Sequence, residues 1–265
     1  MKRVIIVILV GLIACGPAFG WGREGHETIA KIAENHLKPS AKKKIEKYLG
    51  GYSIVHFAKW MDDYRHTPEY KFTTTWHTAP VDASLRYDEA LLDPKKGNAI
   101  YGLEGAIKAL ENYKELPDSA VAVNIKYILH LVGDMHCPVH VGFSKSDFPE
   151  YRYSLKNKGK SYKMHGFWDG SPGFQRKGWS YEKYAEVVDN ITPKQEKKII
   201  KKGNLDHWGR DIIKNGHRAY AITDADKELT KLTAEESAEV LALADEMAMK
   251  AAYRLAYVLN EIFNK

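Results

Sequence analysis

The sequence predicts a chain built almost entirely of α-helices, and two stretches carry this prediction. Residues 119–136 form an apolar helical pattern that ends in a run of histidines, and residues 234–263 form a second, longer one. Strand-like alternation is scarce, and no internal repeat is visible. The buried face of the last helix is predicted to hold Val240, Leu243, Ala244, Met247, Ala251, Leu255, Val258 and Ile262.

The first twenty residues differ from the rest of the chain. A basic start and an apolar run over residues 4–14 precede small residues before Trp21, which is typical of a cleaved signal peptide. We therefore expect an exported protein, periplasmic or secreted, whose residues 21–265 form one monomeric domain. Cys15 follows a lipoprotein-like sequence, so tethering at that cysteine is an alternative. No other stretch is long and apolar enough to span a bilayer, so no stable membrane association is expected.

Charge and cysteine content restrict the function only weakly. The formal net charge of +6 would help to recruit a polyanion, but many solvated surfaces carry such a charge. Cleavage before Trp21 would leave Cys137 as the only cysteine, which excludes an intramolecular disulfide. Bound metal is another source of rigidity for an exported protein.

The end of the apolar helix carries the strongest functional signal. His130 and Asp134 are four residues apart and therefore share one helical face. Pro138 is expected to end or bend the helix, which returns His140 to the same side. Imidazole and carboxylate together suit zinc. His136 lies on another face of the helix and is predicted to be a packed core residue.

Further histidines and aspartates occur in similar patterns along the chain. His165 and Asp169 repeat the four-residue spacing of His130 and Asp134. The whole candidate set consists of His26, Asp62, His77, His130, Asp134, His140, His165 and Asp169. These side chains exceed the roughly four ligands that one zinc takes, and they suit two or three ions with a bridging carboxylate. Clusters of this kind perform phosphoryl-ester chemistry.

Five motifs in order resemble the class I zinc-dependent nucleases, the single-strand-specific 3′-nucleotidase type, with zinc phospholipase C as a more distant relative. They are Trp-Gly-x-x-Gly-His from Trp21, Trp-x-Asp from Trp60, Trp76-His77, the His-x3-Asp-x-His-x-Pro-x-His run from His130, and His-x3-Asp from His165. The resemblance covers residues 21–169. It implies an all-α fold of the zinc phospholipase C and nuclease type, with three zincs in a cleft.

The resemblance also implies a division of the ligands among the three zincs. One zinc would bind Asp62, His77, His130 and Asp134. Its neighbour would bind the α-amine and carbonyl of Trp21 together with His26 and Asp134, so Asp134 would bridge the pair. The third zinc would bind His140, His165 and Asp169. An α-amine becomes available at Trp21 only after the preceding residues are removed.

The activity implied is hydrolysis of single-stranded DNA and RNA to 5′-phosphorylated products, and of 3′-nucleotides. Asp134 would bridge the zinc pair that activates water, and Arg65 matches the cleft cation that would stabilise charge on phosphorus. An ordinary exposed helix arginine is the alternative interpretation of Arg65.

The sequence departs from the family pattern at three places. Pro80 stands where the family commonly has a water-orienting Asp or Asn, and Asp82, two residues later, is the candidate substitute. Residues 144–163 lack a common Gly-Gly-Asn stretch. They carry Lys145, Lys156, Lys158 and Lys160, which would either follow a phosphate backbone or simply be solvated. Cys137 stands where Gln is frequent, and is predicted to be a packed thiol, with zinc ligation as the alternative.

Two other functions are compatible with the same residues. One is a zinc phospholipase C acting on lipid head groups, although the last ligand in that family is typically Glu and here is Asp169. The other is a catalytically silent zinc protein that binds polyanions, which the substitution at Pro80 and the altered lysine-rich segment keep open.

Overall fold

The computed structural model describes residues 21–81, 95–143, 154–157, 160–201, 205–222 and 232–264. The expected signal peptide, residues 1–20, lies outside them. The α-helices are α1 (Arg23–Asn35), α2 (Pro39–Tyr48), α3 (Trp60–Tyr64), α4 (Ala99–Leu110), α5 (Asp118–His136), α6 (Met164–Gln175), α7 (Tyr181–Val188), α8 (Pro193–Ile200), α9 (Leu205–Ile222) and α10 (Ala234–Phe263). Short 3-10 helices cover Ile54–Phe57, Lys71–Thr75 and Tyr113–Glu115.

The strands in the described ranges are very short. Strands β1 (Ala79–Val81) and β2 (Val141–Phe143) pair in parallel, and β3 (Ser154–Asn157) and β4 (Lys160–Lys163) pair antiparallel. The predicted all-α class is therefore confirmed. Residues 142–163 show no clear periodicity in the sequence, which predicts a stretch without regular structure, yet they contain part of β2 and the whole of β3 and β4.

Helices α5 and α10 are the two longest and form the centre of the packing, with α1 beside both. Helix α10 starts at a capping box, in which Thr233 and Glu236 each bind the backbone N–H of the other. All eight predicted core positions of α10 are buried, as the helical spacing requires. On α5, every residue from Tyr127 to His136 is buried, so its histidines lie inside the protein.

Ile54, Phe57, Ala58 and Met61 have the spacing of an apolar helix face, which predicts one helix over residues 53–65, and Pro172 with Gly173 predicts a break; both predictions are wrong. Residues 53–65 do not form one helix, because the 3-10 helix and α3 are separate segments with Ala58 and Lys59 between them. Helix α6 continues past Pro172, where the sequence predicts a break. A proline removes one N–H from the helix, and here the hydroxyl of Ser171 donates a hydrogen bond to the carbonyl oxygen of Trp168 at 3.1 Å instead.

A buried ionic network joins α5, α9 and α10. Arg254 donates to Asp211 Oδ2 at 2.7 Å and to the Nε2 atom of His136 at 2.8 Å. The Nδ1 atom of His136 donates to the carbonyl oxygen of Val132 at 2.7 Å. Both ring nitrogens of His136 are thus used in packing the helices together, as predicted for a core histidine. Among the helices that the structure describes, none combines the length and apolar character needed to cross a bilayer.

Candidate metal centre

The predicted pair on α5 forms the middle of the site. His130 and Asp134 lie on successive turns with Nε2 and Oδ2 3.2 Å apart, and neither side chain is exposed to solvent. His77, which follows the 3-10 helix Lys71–Thr75, brings its Nδ1 atom to 2.9 Å from the same carboxylate oxygen. His26 on α1 approaches the other oxygen of Asp134, with Nε2 and Oδ1 3.3 Å apart. One carboxylate therefore contacts three imidazoles from three segments.

Asp62 on α3 completes one group of possible ligands. Its Oδ1 atom is 3.7 Å from His77 Nδ1 and 3.8 Å from His130 Nε2. A second group consists of His26, His130 and Asp134, and each group has its ligand atoms within 4.8 Å of one another. Ligands on a tetrahedral zinc, with bonds of about 2.0–2.2 Å, lie roughly 3.3–3.6 Å apart. The observed separations fit two adjacent ions.

A third group lies between the end of α5 and helix α6. His140 Nε2 is 3.0 Å from Asp169 Oδ1, and His165 Nε2 is 3.3 Å from Asp169 Oδ2. The rings of His140 and His165 stack with centroids 4.3 Å apart. The thiol of Cys137 donates to Asp169 Oδ1 at 3.4 Å, and Cys137, His140 and Asp169 also satisfy the spacing for a metal site.

Backbone carbonyls fix two of these rings. The Nδ1 atom of His130 donates to the carbonyl oxygen of Ala58 at 2.9 Å, and Nδ1 of His140 donates to the carbonyl oxygen of His77 at 2.8 Å. In each ring Nε2 is therefore the nitrogen that faces the carboxylates, and it is the atom that would bind a metal ion after losing any proton it carries. The β1–β2 pairing begins next to this bond, with Ala79 donating its N–H to His140. Two of the recognised motifs are thereby held side by side.

Trp21 is connected to α6 through the residue that follows it. It is completely buried, and the next residue, Gly22, donates its backbone N–H to the carbonyl oxygen of Asp169 at 2.8 Å. The first described residue of the chain therefore packs beside α6, close to the ligands rather than at the surface.

The charges around Asp134 support one another. Burial would raise the pKa of its carboxyl, but His130 and His26 outweigh burial and hold that pKa well below its usual range. Burial would likewise lower the pKa of His130, yet Asp134 and Asp62 raise it to about 9. This part of the site consequently carries an anionic carboxylate inside the protein.

The third group shows the opposite behaviour. Burial raises the pKa of Asp169 well above its usual range. Burial, together with the neighbouring His140, lowers the pKa of His165 to about 4. The protein alone thus favours the uncharged form of both groups, and a bound cation would favour the carboxylate.

Unused hydrogen-bond acceptors show that the site suits cations. Asp62 Oδ1, Asp134 Oδ1 and Asp169 Oδ2 are buried and accept no hydrogen bond from the part of the chain that the structure describes. Buried carboxylate oxygens are normally paired or bound to metal. The donor set of imidazole nitrogens and carboxylate oxygens is the one that zinc takes.

Arg65 lies at the edge of the same site. Its NH1 atom is 3.5 Å from Asp62 Oδ1, and its side chain is 8% exposed. It is therefore not the exposed helix arginine that the sequence also allowed. Its guanidinium is held next to a candidate ligand.

Several predicted site residues lie outside the described residues or are described only by their backbone. Asp82, Lys145 and Lys158 lie outside them. Lys156 and Lys160 belong to β3 and β4, where Lys156 pairs with Ser161 and Lys160 with Asn157. Pro80 lies in β1 opposite Gly142.

Two contributors to the site were not predicted from the sequence. The carbonyl oxygen of Ala58 gives no signal, because every residue has one. Gly133 gives a weak signal, as a glycine inside a helix: a Cβ atom there would be 2.7 Å from Nδ1 of His26. The close approach of α1 to α5 depends on it.

The fold and the site together define an all-α protein with a buried centre suited to several metal ions. A model of the S1/P1 nuclease family matches residues 21–264, and the chain belongs to this family. The family is zinc-dependent.

Individual relatives resemble the chain over most of its length at modest identity. It is 24% identical to nuclease S1 of Aspergillus oryzae over 99% of this chain and 98% of the relative. It is 24% identical to nuclease P1 of Penicillium citrinum, over 91% and 97%, and 24% identical to endonuclease 1 of Arabidopsis thaliana, over 98% and 93%.

Proposed function

We propose that this chain is a zinc-dependent phosphodiesterase that cleaves single-stranded DNA and RNA to 5′-phosphorylated products and also hydrolyses 3′-nucleotides. The observation that carries the proposal is the Asp134 carboxylate, which contacts His26, His77 and His130 beside a third group of ligands. Membership of a nuclease family supports the choice of substrate.

The proposed ligand assignment uses every group described above. Asp62, His77, His130 and Asp134 would hold one zinc. Trp21, through its α-amine and carbonyl, would hold a second zinc with His26 and Asp134. His140, His165 and Asp169 would hold the third. Zinc bound there would supply a water of low pKa and neutralise charge on the phosphate and the leaving oxygen.

The remaining residues position the ligands and the substrate. The carbonyl oxygens of Ala58 and His77 fix the rings of His130 and His140, so that little reorganisation is needed during reaction. Arg65, held beside Asp62, donates to a non-bridging phosphate oxygen and balances the charge that develops on phosphorus. Asp82 orients the attacking water in this proposal.

Domain organisation, export and contacts to the substrate backbone follow from the same proposal. Residues 21–265 form one monomeric domain, exported to the periplasm or the medium after the signal peptide is removed. That removal frees the α-amine of Trp21. Lys145, Lys156, Lys158 and Lys160 are proposed to contact the phosphate backbone of the substrate.

The first test is hydrolysis by the protein that begins at Trp21. Single-stranded RNA, single-stranded DNA, a 3′-nucleotide and phosphatidylcholine are compared, each with zinc and after chelation. We expect zinc-dependent release of 5′-nucleotides and no cleavage of the lipid. Cleavage of the lipid alone would assign a phospholipase C instead, and no hydrolysis by a fully loaded protein would assign a binding role.

A matched pair of variants on α3 tests the centre itself. Asp62→Asn removes a ligand and should lower the zinc content per chain together with hydrolysis. Asp63→Asn, whose carboxylate instead pairs with Lys59 at the surface, should leave the zinc content unchanged. Equal zinc contents in the two variants would contradict the assignment of Asp62.

A further inference from the structure

A groove with aromatic walls lies outside the metal centre. It has a volume of about 730 Å³ and is lined by Tyr52, Phe57, Trp60, Tyr64 and Lys126, among others. Tyr52 is 55% exposed and Tyr64 44%, so both rings are accessible to a ligand. Their rings are held in place from behind, because Tyr64 stacks on Trp60 and Tyr52 stacks on His56.

Lys126 lies between the two aromatic walls. Its ammonium is 4.5 Å from the ring centroid of Phe57 and 4.7 Å from that of Trp60. Within the described ranges, no carboxylate lies within ion-pair distance of it. The two acids of the groove are already paired, Glu27 with Arg23 at 3.4 Å and Asp63 with Lys59. The groove therefore offers a positive charge that is not neutralised.

The groove shares its supporting elements with the metal centre. Lys126 precedes His130 by four residues, so it lies on the same face of α5 about 6 Å away along the helix axis. On α3, Trp60 and Tyr64 are also four residues apart and face the groove, whereas Asp62 faces the ligands. On α1, Arg23 lies one turn before His26. The groove and the metal centre therefore share helices α1, α3 and α5.

We propose that this groove binds single-stranded nucleic acid outside the metal centre, with bases stacking on Tyr52 and Tyr64 and a backbone phosphate contacting Lys126. Exposed aromatic rings beside an unneutralised cation are the features that bind single strands without sequence preference. The inference rests on the proposed function, because it assigns a further binding surface to the same substrate. Neither the paired acids nor the rings favour an anionic protein or a lipid surface over a stacking ligand.

The test compares a long and a short substrate on the zinc-loaded protein. The double variant Tyr52→Ala with Tyr64→Ala should raise the KM for a 20-nucleotide single strand by at least about 30-fold, since stacking is lost at two bases. Hydrolysis of a 3′-mononucleotide, which occupies only the centre, should not change. Tyr101→Ala, another half-exposed tyrosine outside the groove, is the control and should change neither.

Lys126→Gln tests the phosphate contact separately. It should weaken affinity for the long substrate and reduce the slope of log affinity against log salt by about 0.7, the loss of one contact to a single strand. Lys114→Gln is the matched control, because Lys114 also lies over a tyrosine ring but outside the groove. Thermal unfolding of each variant detects any general damage to the fold.

The outcomes separate this proposal from the proposed function. An unchanged KM for the long strand in both the tyrosine and the lysine variants would contradict the proposal that the groove binds single strands. Equal losses on the long and the short substrate would also overturn it, because the variants would then act through the centre. If the unaltered protein hydrolyses nothing, the proposed nuclease function is wrong. Fluorescence anisotropy with the same uncut oligonucleotide and the same variants then tests separately whether the groove binds a single strand.

Discussion

Gly133 of α5 lies directly against the imidazole ring of His26 on α1. A Cβ atom at this glycine would be 2.7 Å from Nδ1 and 3.0 Å from Cε1 of that ring. The ring of His26 also stacks on His130, with ring centroids 4.1 Å apart and planes 13° from parallel. The position of His26 beside Asp134 therefore depends on the absence of a side chain at Gly133.

Gly133→Ala is therefore expected to displace His26 and to lower the zinc content together with nuclease activity. The control is Gly105→Ala on α4, where a Cβ atom would meet nothing within 4 Å. That control should retain zinc and gain up to about 1 kcal/mol of stability from helix propensity. Metal analysis per chain and unfolding in denaturant measure both effects. Full zinc content in Gly133→Ala would show that the two helices can separate without losing the site.

Arg65→Ala should reduce kcat/KM by about 10²- to 10³-fold, comparable to the loss of one donor that stabilises a transition-state charge. Zinc content should not change, because the guanidinium is not a ligand. Arg65→Lys should recover only part of the loss, because lysine lacks the planar fork. Arg218→Ala, which removes a surface ion pair with Glu246, is the control. An unchanged kcat/KM for Arg65→Ala would show that Arg65 has only a structural role beside Asp62.

Extension of the chain by one glycine before Trp21 should lower both zinc content and activity. The extension converts the α-amine into an amide, which is a poor metal ligand, and it must fit where Trp21 is fully buried. One glycine added after Lys265 is the matched control and should have no effect. If the amino-terminal extension keeps a full complement of zinc, the α-amine is not a ligand.

His136 should make the fold sensitive to acid. Burial and the neighbouring Arg254 lower its pKa to about 3, below the value near 6.5 of the unfolded chain. Between these values the unfolded state binds the proton and the folded state does not, so stability falls as pH falls, by up to about 1.4 kcal/mol per pH unit.

His136→Gln removes this titration and provides the comparison. Between pH 7 and pH 5 the unaltered protein should lose about 2 kcal/mol more unfolding free energy than the variant does. Denaturant titrations with saturating zinc at the two pH values measure the difference, while the variant itself is less stable at both. Parallel losses in the two proteins would mean that His136 is protonated in the fold.

The clustering of the candidate ligands was predictable in part from the sequence, because zinc restricts residue types and helices restrict spacing. His130 with Asp134 and His165 with Asp169 each needed only a helix, and the structure places both pairs on helices. Predicting that His26, Asp62 and His77 converge on Asp134 required the family resemblance, because the convergence depends on how distant segments pack. Local signals misled at Pro172, where a neighbouring serine satisfies the carbonyl that the proline leaves without its usual partner.

The candidate ligands also bring together positions that are far apart in the chain. His77 and Asp134 are 57 residues apart, and His140 and Asp169 are 29 apart. An ion held by such residues closes loops whose ends would otherwise separate on unfolding, and loop closure has an entropic cost. Cys137, the cysteine that the structure describes, is a free thiol. Bound ions would therefore be the crosslinks available to the described part of the chain. Removal of the ions by a chelator should therefore lower the free energy of unfolding, as reduction of a disulfide does in other proteins. The effect should extend to helices such as α10, which holds none of the candidate ligands.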